Sequence, residues 1–360
     1  MKKSNINAIC SDLETWPKPQ CLQRPAMHRI GWRDAGCRQG EPWLLVHGGP
    51  GGACQPSMLA AFDLQRQRVI ALDQRGSGAS RPKGGIRGSH VMALVQDMEA
   101  LRRHLGLERW SLLAGSWGTV LALLYAHHYP QHVQRLVLRG SFGASSKEIG
   151  ALLRPASALG KALPALRKIN WPVQSAQAVP QALAKLGQVF QSATPNARSL
   201  GIVRGWNLLE LRDALRGIQR SLIHADGKLA MAMRRERAQL KRQQRRAASV
   251  LKAPGATVRD AQLWQKYRLQ AHYLGQRRHL QRVKLDAAVK AIAQQRIAVD
   301  WVHGRFDAIC PPDNSKCWFE MGMSAGGVMR LHQPHCGHLG SEAEMLASLR
   351  YCVRLLLKNQ

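Results

Sequence analysis

Between Arg109 and Pro130 the chain reads RWSLLAGSWGTVLALLYAHHYP: an apolar run, a cluster of small residues around one serine, and a second apolar run closed by proline. The first run has the length of a strand. The second is rich in leucine and alanine and has the length of a helix. AGSWG (114–118) must therefore turn a buried strand directly into a buried helix. Neither run has a polar face, so both belong between layers rather than at a surface. The same grammar recurs nearby. PWLLVHGG (42–49), RVIALDQRGSGAS (68–80) and VQRLVLRGSF (133–142) are apolar runs that enter glycine-rich or polar turns, and SHVMALVQDMEALRRHLG (89–106) has helical spacing and stops at Gly106. Strands alternating with helices in this way predict an α/β fold with a mostly parallel sheet flanked by helices.

From about 145 to 290 the strand signals stop and the chain reads as basic helix. They return at RIAVDWVHGRFD (296–307) and GVMRLHQPHCGH (327–338), and an amphipathic helix closes the chain over 341–360, with Ser341 as its expected N-cap and Glu344 three residues on. The expected organisation is a core over 1–144 and 291–360, interrupted by an inserted helical cap over 145–290. At 360 residues and 45% hydrophobic, the chain is long enough for one large core and a lid. No apolar run reaches the roughly 18 residues that a membrane span requires. The segment MKKSNINAICSDLETW has no apolar stretch of the secretory type, which points to the cytoplasm. Eight cysteines without C-x-x-C spacing read as free thiols, and HCGH (335–338) lacks the second pair a zinc site would need, so neither a metal nor a cofactor is expected. The formal charge of +31 admits a polyanion or nucleic-acid partner, but no nucleic-acid motif accompanies it. A polyanion is therefore the minor expectation.

Ser116, on the strand-to-helix turn, is exposed at the carboxyl edge of the sheet. A serine hydroxyl is a weak nucleophile and needs a base, which in turn needs an orienting acid. VHGRFD puts Asp307 at the end of a later strand, and PHCGH puts His338 after the next one. Both fall on the edge that carries Ser116. His335 competes for the role of base; His338 is favoured because it follows Gly337, where an imidazole can swing over the serine. Attack on a carbonyl also needs two preorganised donors for the oxyanion. One is the N–H of Trp117. The other explains HGGPGG (47–52), where glycine backbone can approach a substrate without side-chain clash; Gly49 is the expected donor, with Gly48 next.

HGGPGG, LDQRGSGAS, AGSWGTVLAL, VLRGSF, VHGRFD and CGH occur in this order, and together they resemble the proline iminopeptidases of the α/β-hydrolase fold. The elbow alone, G-x-S-x-G with Ala114 for its first glycine, would be shared with any esterase. The resemblance implies a cofactor-free serine peptidase that releases N-terminal proline from small peptides with a free N-terminus, and a triad of Ser116, Asp307 and His338. It further implies a pyrrolidine pocket at Phe142 and Cys310, and amine recognition by cap carboxylates. For those, WNLLE (206–210) keeps Glu210, whereas RLQAHYL (268–274) has Gln270 where the family has an acid. The basic stretch 227–252, with the single acid Glu236, has no counterpart and reads as a solvated helix that extends the lid. Asp73–Gly76 (DQRG) reads as a structural turn bracing the site. The alternatives are an amidase or esterase acting on small non-proline substrates, and a basic binding protein on a hydrolase scaffold.

Overall fold

The computed structural model describes residues 16–153, 179–192, 194–251, 253, 255–276 and 280–355. The N-terminal segment read for a secretory signal lies almost wholly outside these residues, as do part of the expected cap and the last five residues of the expected closing helix.

Eight strands form one sheet: β1 (Gln20–Arg24), β2 (His28–Gly36), β3 (Glu41–Val46), β4 (Gln67–Leu72), β5 (Trp110–Gly115), β6 (Val133–Arg139), β7 (Ala298–Val302) and β8 (Met329–His332). Their spatial order is β1-β2-β4-β3-β5-β6-β7-β8. The pairs β1/β2 and β2/β4 are antiparallel, and every later pair is parallel. β3 and β5 are apolar along their length because they are central and covered on both faces: Leu44, Val46, Leu112 and Ala114 face one core, and Trp43, Leu45 and Leu113 the other.

The covering helices are α1 (Val91–His104), α2 (Trp117–His128), α9 (Asp313–Ser324) and α10 (Ala343–Arg354), the last two following β7 and β8. Between β6 and β7 lie α3 (Ser146–Leu153), α4 (Val179–Val189), α5 (Ala197–Ile223), α6 (Gly227–Val250), α7 (Val258–Leu274) and α8 (Arg282–Gln294), with no strand among the described residues. α5 and α7 are each started by a capping box, Asn196 with Ser199 and Thr257 with Asp260. They are tied together where Arg204 grips Asp260 through two hydrogen bonds of 2.9 and 2.7 Å. α8 packs on α2 and α9 through buried Leu285, Val289 and Ile292, so the return to the sheet begins before the boundary expected near 290.

Three local expectations are corrected. β1 and β2 carry no strong sequence signal; β1 is an exposed edge strand, and β2 alternates only in part. β8 stops at His332, so the chain from Gln333 to His338 is a loop. The final helix starts at Ala343 with Glu342 as its N-cap, and Ser341 does not cap it. The Glu342 side chain turns away from the helix to accept the N–H groups of Gly337 and Leu339 at 2.7 and 2.9 Å.

The join of α2 to the sheet is tight. A Cβ on Gly118 would fall 2.6 Å from Val46 O and 2.9 Å from His47 O, both backbone atoms that cannot swing aside. Helix propensity alone would favour alanine there by about 1 kcal/mol. Overpacking costs typically about 1–3 kcal/mol, and here it should win. Gly118→Ala is expected to lower the urea midpoint. Gly187→Ala in α4, where a Cβ meets nothing within 4 Å, is expected to raise it or leave it unchanged. Equal midpoint shifts in the two variants would show that propensity, not the β3 contact, governs position 118.

Candidate active site

β5 ends at Gly115 and α2 begins at Trp117, which leaves Ser116 between them at φ 54° and ψ −122°. Holding a residue with a Cβ in this region costs on the order of 1–3 kcal/mol. The turn is fixed on both sides. Ser116 N–H donates to Arg139 O at 2.8 Å, and Ser116 O accepts from Thr119 N–H at 2.9 Å and from the Thr119 hydroxyl at 2.6 Å. A Cβ on Gly115 would lie 2.4 Å from the Arg139 guanidinium, which would have to move aside.

Asp307 and His338 meet at the same edge. His338 Nδ1 lies 2.6 Å from Asp307 Oδ2, and Asp307 Oδ1 accepts the N–H groups of Ile309 and Cys310 at 2.8 and 2.9 Å. His303 Nε2, fully buried, lies 3.2 Å from Asp307 Oδ2. Burial pushes the Asp307 carboxyl up, but His338 and His303 outweigh it and hold the group far below the usual carboxylate range. Asp307 is therefore an anion throughout the physiological range. Gly140, at φ 54°, makes room for the imidazole, since a Cβ there would lie 3.2 Å from His338 Cε1 and Nδ1.

Ser116 Oγ makes no hydrogen bond to His338; it lies 3.9 Å from Cys310 Sγ. Such contacts are often long without substrate and tighten when it binds. Burial, then the nearby Asp307 charge, pushes the Cys310 thiol well up, so it is not a competing thiolate.

The HGGPGG loop follows β3. A Cβ on Gly48 would meet Gly115 O at 2.8 Å and Ser116 Cβ at 3.1 Å, so this backbone lies directly against the elbow. Gly49, at φ 53°, has nothing within 4 Å of a Cβ position and borders open space. Trp117 N–H is the first of α2, among those without an intrahelical acceptor. The DQRG turn braces both donors. Gln74 donates from its backbone to His47 Nε2 at 3.1 Å and from its amide to His47 O at 2.8 Å, and its amide oxygen accepts from Trp117 Nε1 at 3.0 Å. Asp73 accepts from Cys54 N–H and Ala79 N–H, and Arg75 grips Asp97.

A cavity of about 520 Å3 joins these groups to the helices above. Ser116, His338, Phe142, Cys310, Glu210 and Gln270 all line it, together with Gly48 and Gly49. Glu210 accepts from Gln270 Nε2 at 3.1 Å and from the Tyr267 hydroxyl at 3.0 Å, and it pairs with Lys266 Nζ. Gln270 is buried, and its Oε1 has no partner. His335 lies elsewhere: its Nε2 is 2.8 Å from Ser221 O, and its ring packs on Phe306.

Residues 41–193 match the model of the alpha/beta hydrolase fold. A solved alpha/beta hydrolase enzyme from a Medee basin deep-sea metagenome library superposes with a TM-score of 0.59 at 12% identity, over 95% of this chain and 98% of that one. The proline iminopeptidase of Xylella fastidiosa is 42% identical over 115 residues, 32% of this chain and 37% of the relative. A Mycoplasma pneumoniae protein provisionally given the same name is 29% identical over 340 residues, 92% of this chain and 94% of its own. The chain has the α/β-hydrolase fold and is similar to the proline iminopeptidases. The chain spans only 39%, 37% and 32% of the length of the first curated relatives it matches.

Several parts of this site are not legible in the sequence. Lys266, on Glu210, sits one turn of α7 before Gln270 and is an unremarked cation in a basic segment. His303 and Glu342 hold the acid and the histidine loop, but their partners are set by tertiary approach. The basic helix α6 is the main correction. Arg234, Arg235, Lys241 and Arg242 are exposed, as a solvated arm requires. Its other face packs on α5 and α10 and lines the cavity through Glu236, Gln239, Leu240 and Gln243. It is a wall of the site, because Met233 joins the core with Met345 and Leu349 and pulls the helix down.

The crowding at Gly140 yields a direct test. Gly140→Ala adds a Cβ in a left-handed conformation against His338. Turnover of a p-nitrophenyl ester is expected to fall about ten-fold or more, because roughly 1.4 kcal/mol of misplacement suffices for that factor. Far-ultraviolet dichroism should be unchanged. Wild-type turnover in a folded variant would show that the imidazole has slack at this wall.

Proposed function

We propose that this protein is a serine hydrolase acting as an aminopeptidase on short peptides with a free N-terminus and a preference for N-terminal proline. The observation that carries the reading is the single cavity that brings Ser116 on its strained turn, the His338–Asp307 pair, the glycine loop and the carboxylate of Glu210 together. In this reading Ser116 Oγ attacks the scissile carbonyl and His338 Nε2 takes its proton. Asp307 fixes Nδ1–H and balances the imidazolium. The N–H groups of Gly49 and Trp117 meet the oxyanion. His338 then protonates the leaving amine, and water, activated by the same imidazole, releases the acyl group. Phe142 and Cys310 form the wall against the first residue's ring, and Glu210 with the free Gln270 Oε1 receives its ammonium.

A second reading, an esterase or amidase for small neutral substrates, is favoured by one observation: Lys266 already occupies Glu210. Substitutions separate the two. Lys266→Met frees Glu210, and a charge-assisted hydrogen bond to an ammonium contributes about 1.5–3 kcal/mol. Under the aminopeptidase reading, Lys266→Met should raise kcat/KM for proline arylamide relative to a neutral ester, and Glu210→Gln should lower it about ten- to a hundred-fold. Movement of both substrates together would favour the esterase.

The proposed nucleophile and base are tested independently. A phosphonofluoridate should label Ser116 in the wild type and nothing in Ser116→Ala. His338→Ala should cost several orders of magnitude in kcat, and Asp307→Asn should also be severe, whereas His335→Ala should cost little. Label on another residue would remove Ser116 from the mechanism.

A further inference from the structure

Three carboxylates line the cavity: Glu210, Asp213 and Glu236. Glu210 is paired with Lys266, and Asp213 with Arg212 at 3.0 Å. Among the described residues no cation lies within ion-pair distance of Glu236, in a chain of net charge +31. It is the only acid of α6, and it lies on the inward stripe Glu236, Gln239, Leu240 and Gln243, spaced i, i+3, i+4, i+7, while the other face carries the exposed arginines. Its carboxyl group lies close to the Ala343 N–H at the start of α10. Its Oε2 is shut off from solvent and has no protein partner, and an acceptor left unmade in this way is costly.

Its place in the cavity gives the ligand's position. Ala343 follows Glu342, whose carboxylate holds the N–H groups on either side of His338. Glu236 is thus on the His338 side, whereas Glu210 and Gln270 stand on the wall made by α5 and α7. In the acyl-transfer chemistry proposed above, His338 protonates the leaving amine, so the leaving group must lie on that side. We infer that Glu236 is a specificity residue for the leaving group, and that it selects peptides whose second residue carries a cationic side chain, arginine or lysine. The inference rests on the aminopeptidase reading for its orientation. Burial, then the neighbouring Glu342 charge, pushes the Glu236 carboxyl up to about 7. Glu342 from the segment before α10 is the charged group acting on it, and Ala343 N–H the polar one. Below that pH the group is neutral and blind to charge. Above it the selection appears.

Glu236 also lies against the start of α10, so a stability effect alone would decide nothing. The measurement is binding of prolyl-arginine against prolyl-citrulline, its neutral near-isostere, by calorimetry on the Ser116→Ala protein. Glu236→Gln and Glu236→Lys are compared in that background, and prolyl-glutamate is added for the latter. Arginine should be preferred over citrulline by about ten-fold or more at pH 8, with the preference shrinking toward pH 6. Glu236→Gln should erase it, and Glu236→Lys should turn it toward glutamate. A preference that survives Glu236→Gln, or no preference at pH 8, overturns the inference. Prolyl peptides bound and cleaved without preference would sink the inference and leave the aminopeptidase reading standing. A Glu236-dependent preference in a protein that cleaves only esters would do the reverse. No peptide binding at all would end both. Should Glu236→Gln fail to fold, Glu236→Asp, which shortens the reach but keeps the charge, should weaken the preference without erasing it; an unchanged preference counts against the inference.

Discussion

The site depends on one backbone constraint: a serine held at φ 54° between a buried strand and a buried helix. The cost, about 1–3 kcal/mol, is sustained only because neighbours over-determine the turn. Arg139 O holds the serine N–H from β6, Thr119 holds its carbonyl from α2, and Gly118 lets the helix sit against the β3 backbone. The same closeness fixes the geometry of the proposed oxyanion site. Gly48 lies against Gly115 and Ser116 Cβ, so the donor loop and the serine are fixed relative to each other by contact. Gln74 then bonds to His47 on one side and Trp117 on the other, and so spans the two proposed donors from behind. A substitution anywhere in this knot acts on the chemistry through position.

The acid and the histidine are held by a different logic. Their loops are packed through Ile309, Cys310, Cys336 and Leu339, and polar clamps fix the two side chains. Asp307 is satisfied by two backbone N–H groups and two imidazoles, which keeps it an anion in a buried place. The His338 loop is gripped at both neighbours by Glu342, and Arg139 reaches the His338 carbonyl. The strand-end position of Asp307 was legible because sheet order and chain order agree in this fold. Choosing His338 over His335 was legible from the glycine before it, and the structure brings His338, not His335, to Asp307.

What the sequence hid follows from the kind of signal each part carries. Central strands announce themselves because burial on both faces makes them apolar throughout; β1 and β2 do not, because an edge strand is half solvated and its side chains are free to be polar. Ser341 was expected to cap the last helix, but the helix starts after Glu342, whose side chain clamps the histidine loop instead. The cap was the least legible part. Helix α6 has so many cations that its composition reads as solvent-facing, yet a helix has a second side. Four residues at helical spacing, one of them the lone acid, were enough to make a wall of it.

The cap therefore carries two opposite electrostatic tasks on one element. The exposed arginines of α6 raise the potential on the outer face of this wall, which disfavours a cationic peptide in passing and favours anions. The interior reverses this through carboxylates. Solvent and salt screen the outer charges, so their effect on a peptide amine is small beyond about 10 Å. The inner carboxylates act at hydrogen-bond distance and largely without water. Range decides the balance. A peptide with a charged amine loses little at the surface and gains at contact, so a strongly basic exterior is compatible with a site that reads positive charge. Lys266 sets how much of that gain Glu210 can deliver, and this one pairing, more than the net charge of the chain, separates a peptidase cavity from an esterase cavity.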